Sequence, residues 1–236
     1  MRITLGLLIA ASPVAAQDSR ATFGLPAGCT AYLTVQAESC QVDHHFTCEG
    51  DAPGHQRRVS LDEQGMTYAG EIDAETQWIA SFHALTGHSE QLMSNPAEPA
   101  SLSDLIANGV DDYDFSTMSD QFGATHFVGQ DTLTGREITI DGVTLLETTY
   151  DLTATADDGT VIWSGEGNEF IHPDWRIFLS GTGVTTTPEG QFEHDDRPVE
   201  FIFPGEPGFL STRPKHGCGV AISSAPLSEE NTYDHI

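Results

Sequence analysis

Residues 135–183 read GREITIDGVTLLETTYDLTATADDGTVIWSGEGNEFIHPDWRIFLSGTG, and the class of fold rests on how this stretch is read. Arg136 to Ile140 is followed by Asp141-Gly142, a dipeptide suited to a two-residue hairpin turn, and then by Val143 to Leu146. A second turn, Asp157-Asp158-Gly159, separates Tyr150–Ala156 from Thr160–Trp163. Pro173 precedes a third run, Trp175 to Leu179. The pattern predicts an antiparallel meander.

Period-two alternation assigns its faces. Leu146, Tyr150, Leu152, Ala154 and Ala156 share one face, interrupted at Thr148, while Glu147, Thr149, Asp151, Thr153 and Thr155 share the other. Trp163, Gly165 and Gly167 lie on one face of the next strand. Two glycines on a strand face predict a bend, a bulge, or close packing beneath a large side chain.

Outward from the meander, Tyr32–Val35, Gln77–Leu85 and Val199–Phe203 read as strands, and Asp62-Glu63-Gln64-Gly65 as a hairpin turn. Residues 41–58 read as a pinned loop or two short strands, residues 87–99 as a loop, and residues 182–190 as a polar turn region. Ser101 caps one helix, whose apolar side is Leu102, Leu105 and Ile106, and Asn108-Gly109 stops it. The expected fold is therefore mainly β: an antiparallel curved sheet, partial barrel or sandwich of about ten short strands, with one short helix. Loops this short exclude parallel crossover units.

The organisation expected is a secretory signal at residues 1–16, one β-rich domain at 22–223 and a loose tail at 224–236. Arg2, the apolar run Ile3–Ala11 and the small residues Val14-Ala15-Ala16 fit a signal cleaved before Gln17. An exported location, periplasmic or extracellular, follows. Leu25-Pro26-Ala27-Gly28-Cys29 lies too far downstream to serve as a lipid-attachment signal. No later run of eighteen apolar residues occurs, so no transmembrane helix is expected.

Nine basic residues against thirty-six acidic ones give a formal charge of -27. Such a surface repels nucleic acid and anionic lipid, and suits solubility, cations or a basic partner. The four cysteines fit two disulfides in an exported chain, with Cys29–Cys218 and Cys40–Cys48 the expected pairs.

Chemistry could sit in four places. Cys40, His44, His45 and Cys48, with His55, could hold zinc or copper, but disulfide formation removes the thiolates. Asp111, Asp112 and Asp114 could offer oxygen to calcium, without the full calcium-loop pattern. His126, His172, His194 and His216 lie among Asp and Ser residues, yet no nucleophile elbow or metalloprotease helix occurs. Glu166 and Glu169 fall on opposite faces of one strand and make no acid–base pair.

The fourth place is an apolar cavity lined by Trp78, Phe82, Tyr150, Trp163, Trp175 and Phe201. No motif implies a cofactor. The leading expectation is an exported soluble domain that binds an apolar small molecule or lipid. A structural or protein-interaction domain with a filled core is the alternative, and a hydrolase or calcium-dependent protein ranks behind both.

Overall fold

The computed structural model describes residues 22–219. The expected signal segment, its cleavage point, the tail at 224–236 and the last four residues of the expected domain lie outside them. Within them the chain forms thirteen strands and one helix. The first six strands are β1 (Cys29–Ala37), β2 (Gln41–Cys48), β3 (Gln56–Leu61), β4 (Met66–Ile72), β5 (Trp78–His83) and β6 (His88–Leu92). Helix α1 (Leu102–Asn108) follows, then β7 (Val110–Ser119), β8 (Gly123–Ile140), β9 (Val143–Ala156) and β10 (Val161–His172). The last three are β11 (Ile177–Thr187), β12 (Gly190–Asp195) and β13 (Pro198–Ile202).

All thirteen strands belong to one sheet, in the order β12-β11-β10-β9-β8-β7-β6-β5-β4-β3-β2-β1-β13, and every neighbouring pair is antiparallel. This corrects the expectation of a curved sheet, partial barrel or sandwich. Among the described residues there is no second sheet to make a sandwich, and no ladder joins β12 to β13 to make a barrel. The meander logic extends along the whole chain instead of stopping at ten strands, because nearly every connection is a hairpin turn.

The turns are built as their residues dictate. Asp141 (φ 46°) and Gly142 (φ 78°) both take left-handed backbone, which pairs Ile140 with Val143 across a two-residue turn. Asp62 Oδ1 accepts the backbone N–H groups of Gln64 and Gly65, at 2.7 and 2.9 Å, and closes the β3–β4 hairpin. Ser101 Oγ accepts the N–H of Asp104 at 3.2 Å and caps α1, and left-handed Gly109 ends it. Leu102 and Leu105 are buried against Ile171, but Ile106 is exposed.

Of the two readings of residues 41–58, the pair of strands is the one that forms, as β2 and the start of β3. Two segments differ from expectation: residues 88–92 form strand β6 within the expected loop, and the polar run after Thr182 continues β11 to Thr187 and turns into β12. Their Thr, Gln and His content hides strands whose ladders, not side chains, make the structure.

Only residues 196 and 197 separate β12 from β13, although these strands stand at opposite ends of the order. One apolar cluster therefore joins Leu33, Val35 and Phe201 from one end to Phe170, Ile177 and Leu179 from the other, with Leu145 of β9. A second gathers Val42, Phe46, Val59 and Leu61, and a third Tyr113, Phe115, Phe127 and Leu152.

Both disulfides form, but as Cys29–Cys48 and Cys40–Cys218. The strand register explains the difference: Cys29 and Cys48 stand directly opposite each other in the β1–β2 ladder. Cys40 sits in the turn between those strands and is left to meet Cys218. The segment carrying Cys218 crosses the back of β1. The N–H groups of Leu210 and Lys215 donate to Thr34 Oγ1 and Gln36 Oε1, at 3.0 and 2.9 Å. Among the described residues, no helix is long and apolar enough to cross a membrane.

Candidate functional site

Strand register brings charged residues from both halves of the sheet to one interior cavity of about 860 Å³. On the β2–β5 side, His45 stands opposite Arg58, and Arg58 opposite Gly70. Asp43, Ser60 and Tyr68 form the next row. A side chain at Gly70 would collide with the Tyr68 phenol, so glycine lets that ring lie flat across β4. The Arg58 guanidinium sits 5.0 Å over the same ring.

On the β7–β10 side, Asp111, Asp131, Tyr150 and Gly167 make one cross-strand row. Tyr113, Gly129, Leu152 and Gly165 make the next, and Phe115, Phe127, Ala154 and Trp163 the one beyond. Glu169 stands opposite Thr148, on the same face as Tyr150. Large residues lie over small ones throughout: a side chain at Gly129 would strike Tyr113, and one at Gly167 would strike the Thr182 carbonyl and approach Tyr150. The two glycines singled out in β10 therefore serve close packing, with Tyr150 as the covering side chain.

The cavity has two chemically distinct ends. Trp78, Phe115, Phe127 and Trp163 form an aromatic section, with Trp78 edge-on to Phe115 and Phe127 at 5.6 and 5.3 Å. Arg58, Asp131, Glu169, His45, Tyr113 and Tyr150 form a polar section. Burial pushes the Asp131 carboxyl up, and the nearby Glu169, Asp111 and Asp151 charges push it further. Burial also raises Glu169, with Arg58 pulling it back. Both carboxyls are raised toward neutral pH, so at least one tends to keep its proton there.

Burial opposes the Arg58 charge, but Asp43, Tyr68 and Glu169 outweigh it and keep the guanidinium protonated. His45 is only 4% exposed, and burial followed by Arg58 and His44 lowers it to about 3, so the ring is neutral. Tyr113 is raised by burial and the surrounding carboxylates, and Tyr150 is raised to about 12 for the same reasons, so both stay phenols. Arg58 Nε and His45 Nε2 are buried without a hydrogen-bond partner. Such atoms cost free energy unless something meets them.

A second depression of similar volume lies over β9–β12, around Glu166, Asn168, Glu193 and Asp195. It is open to solvent, and its lining is mainly polar residues and glycine, with Val184 and a single phenol, Tyr150.

Of the cavity residues named from sequence, Trp78, Tyr150 and Trp163 do line this space. Phe82 does not, and Trp175 and Phe201 pack edge-on at 5.8 Å within the apolar core. Strand alternation buries Asp111 and turns Asp112 and Asp114 to the other face of β7. Asp111 accepts the Ser101 N–H, Asp112 the Gln130 amide, and Asp114 lies 2.7 Å from His126 Nε2. These three are thus not one ligand set.

The Cys/His group is also dispersed. All four cysteines are oxidised. His44 Nδ1 meets Thr34 Oγ1 at 3.0 Å and its ring stacks on Phe23, while His55 pairs with Glu71 at 2.8 Å. His172 stacks on Trp175 and His194 faces Asp196, so the scattered histidines do not assemble a triad. The three-donor group left among the described residues is His83, His88 and Glu90, on the β5–β6 hairpin at the cavity rim.

Comparison with known proteins finds no matching family model, no matching curated protein and no matching solved structure. Function is accordingly argued from the cavity alone.

Sequence reading missed Arg58 and Asp131, and weighed Glu169 only as a partner for Glu166. One signal for Glu169 was present: the alternation that groups Trp163, Gly165 and Gly167 continues to it and places a carboxyl on an otherwise inward face.

Proposed function

We propose that the protein binds one amphipathic small molecule, its apolar body between Trp78, Phe115, Phe127 and Trp163 and its head group at the polar end. The observation that carries this reading is the pair of buried, unpartnered nitrogens, Arg58 Nε and His45 Nε2, at the edge of an aromatic-walled space. Its volume of about 860 Å³ falls within the range usual for small-molecule sites, on the order of 300–1,000 Å³. A filled interaction domain would leave these nitrogens with nothing to meet.

The head group is polar and uncharged. Arg58 is already opposed by Asp43 and Glu169, and the Asp131–Glu169 pair already holds both a donor and acceptors. A second full charge buried here would go uncompensated, whereas a hydroxyl or amide could exchange hydrogen bonds with guanidinium, carboxyl and phenol alike. The two disulfides and the leader-like first sixteen residues support an exported setting for this binding.

The test is a titration with dodecanol, dodecanoate and dodecylamine, each below its aggregation limit. Tryptophan emission is followed in high salt, so that the overall negative charge of the protein does not sort the ligands. Saturable one-to-one binding of the alcohol, about tenfold tighter than either charged analogue, is expected, a preference of about 1.4 kcal/mol. A linear, unsaturable response to all three would remove the reading, and preference for a charged ligand would overturn the head-group assignment.

A further inference from the structure

We propose that His83, His88 and Glu90 form a binding site for one borderline divalent cation of the zinc class, at the rim of the cavity. His83 and His88 face each other across the β5–β6 ladder, and Ser81 and Glu90 make the next pair on the same face. One ligand atom from each of His83, His88 and Glu90 lies within 4.8 Å of the other two.

The separations suit an ion better than they suit direct contacts. His83 Nε2 lies 3.8 Å from one Glu90 oxygen, and His88 Nε2 lies 4.0 Å from the other. Both are too long for hydrogen bonds. Two ligands held at about 2.05 Å from a tetrahedral centre are roughly 3.3 Å apart. Closing the present gaps needs shifts of about half an ångström, well within side-chain freedom.

The Glu90 carboxylate, only 15% exposed, has the two imidazoles as its ion-pair partners, each at a distance longer than a hydrogen bond. A carboxylate held between two imidazoles without bonding either directly is placed as a shared cation would place it. The imidazole rings stack at 4.7 Å with planes 7° apart. The His88 Nδ1 is 2.6 Å from Thr86 Oγ1, which occupies that nitrogen and leaves Nε2 facing Glu90. Metal-bound histidines are commonly oriented by such an outer partner.

The ligand chemistry selects the ion. Two imidazoles and one carboxylate suit zinc-class cations, whereas calcium and magnesium take oxygen sets. Three protein ligands leave a fourth position for water. Ser81 Oγ, which lines the cavity, is hydrogen-bonded to His83 Nε2 at 3.2 Å, and an ion would displace it from that nitrogen. Phe122 stands edge-on to His88 at 4.8 Å and covers the opposite flank. The site does not depend on what the cavity holds.

The experiment uses untagged, full-length secreted protein stripped with a chelator. It is titrated with zinc by calorimetry and with cobalt by visible absorption, calcium serving as control. One zinc per chain and the intense visible bands of low-coordinate cobalt are expected, with no calcium binding in the same range. His83→Ala and His88→Ala should each weaken zinc more than the ~10- to 100-fold that loss of an outer partner costs, and Thr86→Val should fall within that range. Glu90→Gln keeps the side-chain shape and should weaken zinc as the histidine variants do, so a folding defect in those variants does not leave the question open. Absence of stoichiometric zinc, or undiminished binding by the His83→Ala/His88→Ala double variant, would overturn the proposal.

Discussion

Replacing Arg58 with Met removes the guanidinium that acts on Asp43 and Glu169, while keeping most of the stem that packs on Tyr68. The expected cost depends on pH, and its sign can be worked out. Both carboxyls have folded pKa values raised above their ordinary 3.8 or 4.5 by burial, with Arg58 pulling each back. A raised carboxyl contributes stability that is complete below its unfolded pKa and is lost as pH rises through the folded value. Without Arg58 the folded values move higher still, so the variant is penalised most where wild type would hold these groups ionised.

At pH 8 the cost should be about 3 kcal/mol. That is the lower figure for breaking a buried ion pair, taken because one side of Arg58 opens on the cavity. At pH 5 the variant's carboxyls bind protons and need no cation. Only the contact with the Tyr68 ring is then lost, about 1 kcal/mol. Urea unfolding with disulfides intact, at a slope of about 2 kcal/mol per molar, converts these to midpoint shifts of roughly 1.5 M at pH 8 and 0.5 M at pH 5. Equal shifts at the two pH values, or a larger one at pH 5, would refute the idea that Arg58 balances this carboxyl cluster.

Two further outcomes follow from packing and connectivity. Gly167→Ala should lose about 1–3 kcal/mol or more, since its methyl group meets the Thr182 carbonyl and the Gly183 backbone, neither of which can swing aside. Gly165→Ala meets only ordinary contacts at 3.4 and 3.6 Å and should be far milder, so equal unfolding midpoints for the two variants would contradict the packing account. Removing Cys40–Cys218, whose residues are 178 apart, should cost up to about 5 kcal/mol, against about 3 kcal/mol for Cys29–Cys48, 19 apart. Non-reducing urea melts of the two double-serine variants would show the reverse order if chain entropy were not the main term.

The sequence was most legible where structure is local. Asp141-Gly142, Asp62 to Gly65 and the Ser101-to-Gly109 helix each take the form their residues require, because turn and cap geometry is settled within a few residues. It was least legible where partners are remote. Cys40 pairs with Cys218 because the register of β1 with β2 commits Cys29 and Cys48 to each other, and register is a property of two strands together. Arg58 and Glu169 are 111 positions apart in number, and nothing near either one announces the other. Strand β6 was hidden for another reason: its His, Ser, Glu and Gln residues face a polar rim, so the apolar alternation that betrays a strand is missing. The aromatic residues show the same limit. Trp175 and Trp163 sit on similar apolar runs, yet only the second faces the cavity.

The bond between Cys40 and Cys218 also decides how the molecule would respond to tension. A pull between Thr22 and Gly219 would travel to Cys40, cross the sulfur bridge and leave at Cys218. The ring closed by Cys29–Cys48 would share the load between β1 and β2, while strands β3 to β13 lie beyond it inside the Cys40–Cys218 loop and would carry none along the chain. The chain could then lengthen by at most on the order of 60 Å, where the unbridged segment would yield on the order of 700 Å. The sheet would be shielded from stretching by a single covalent link, and a reducing agent would act as the release.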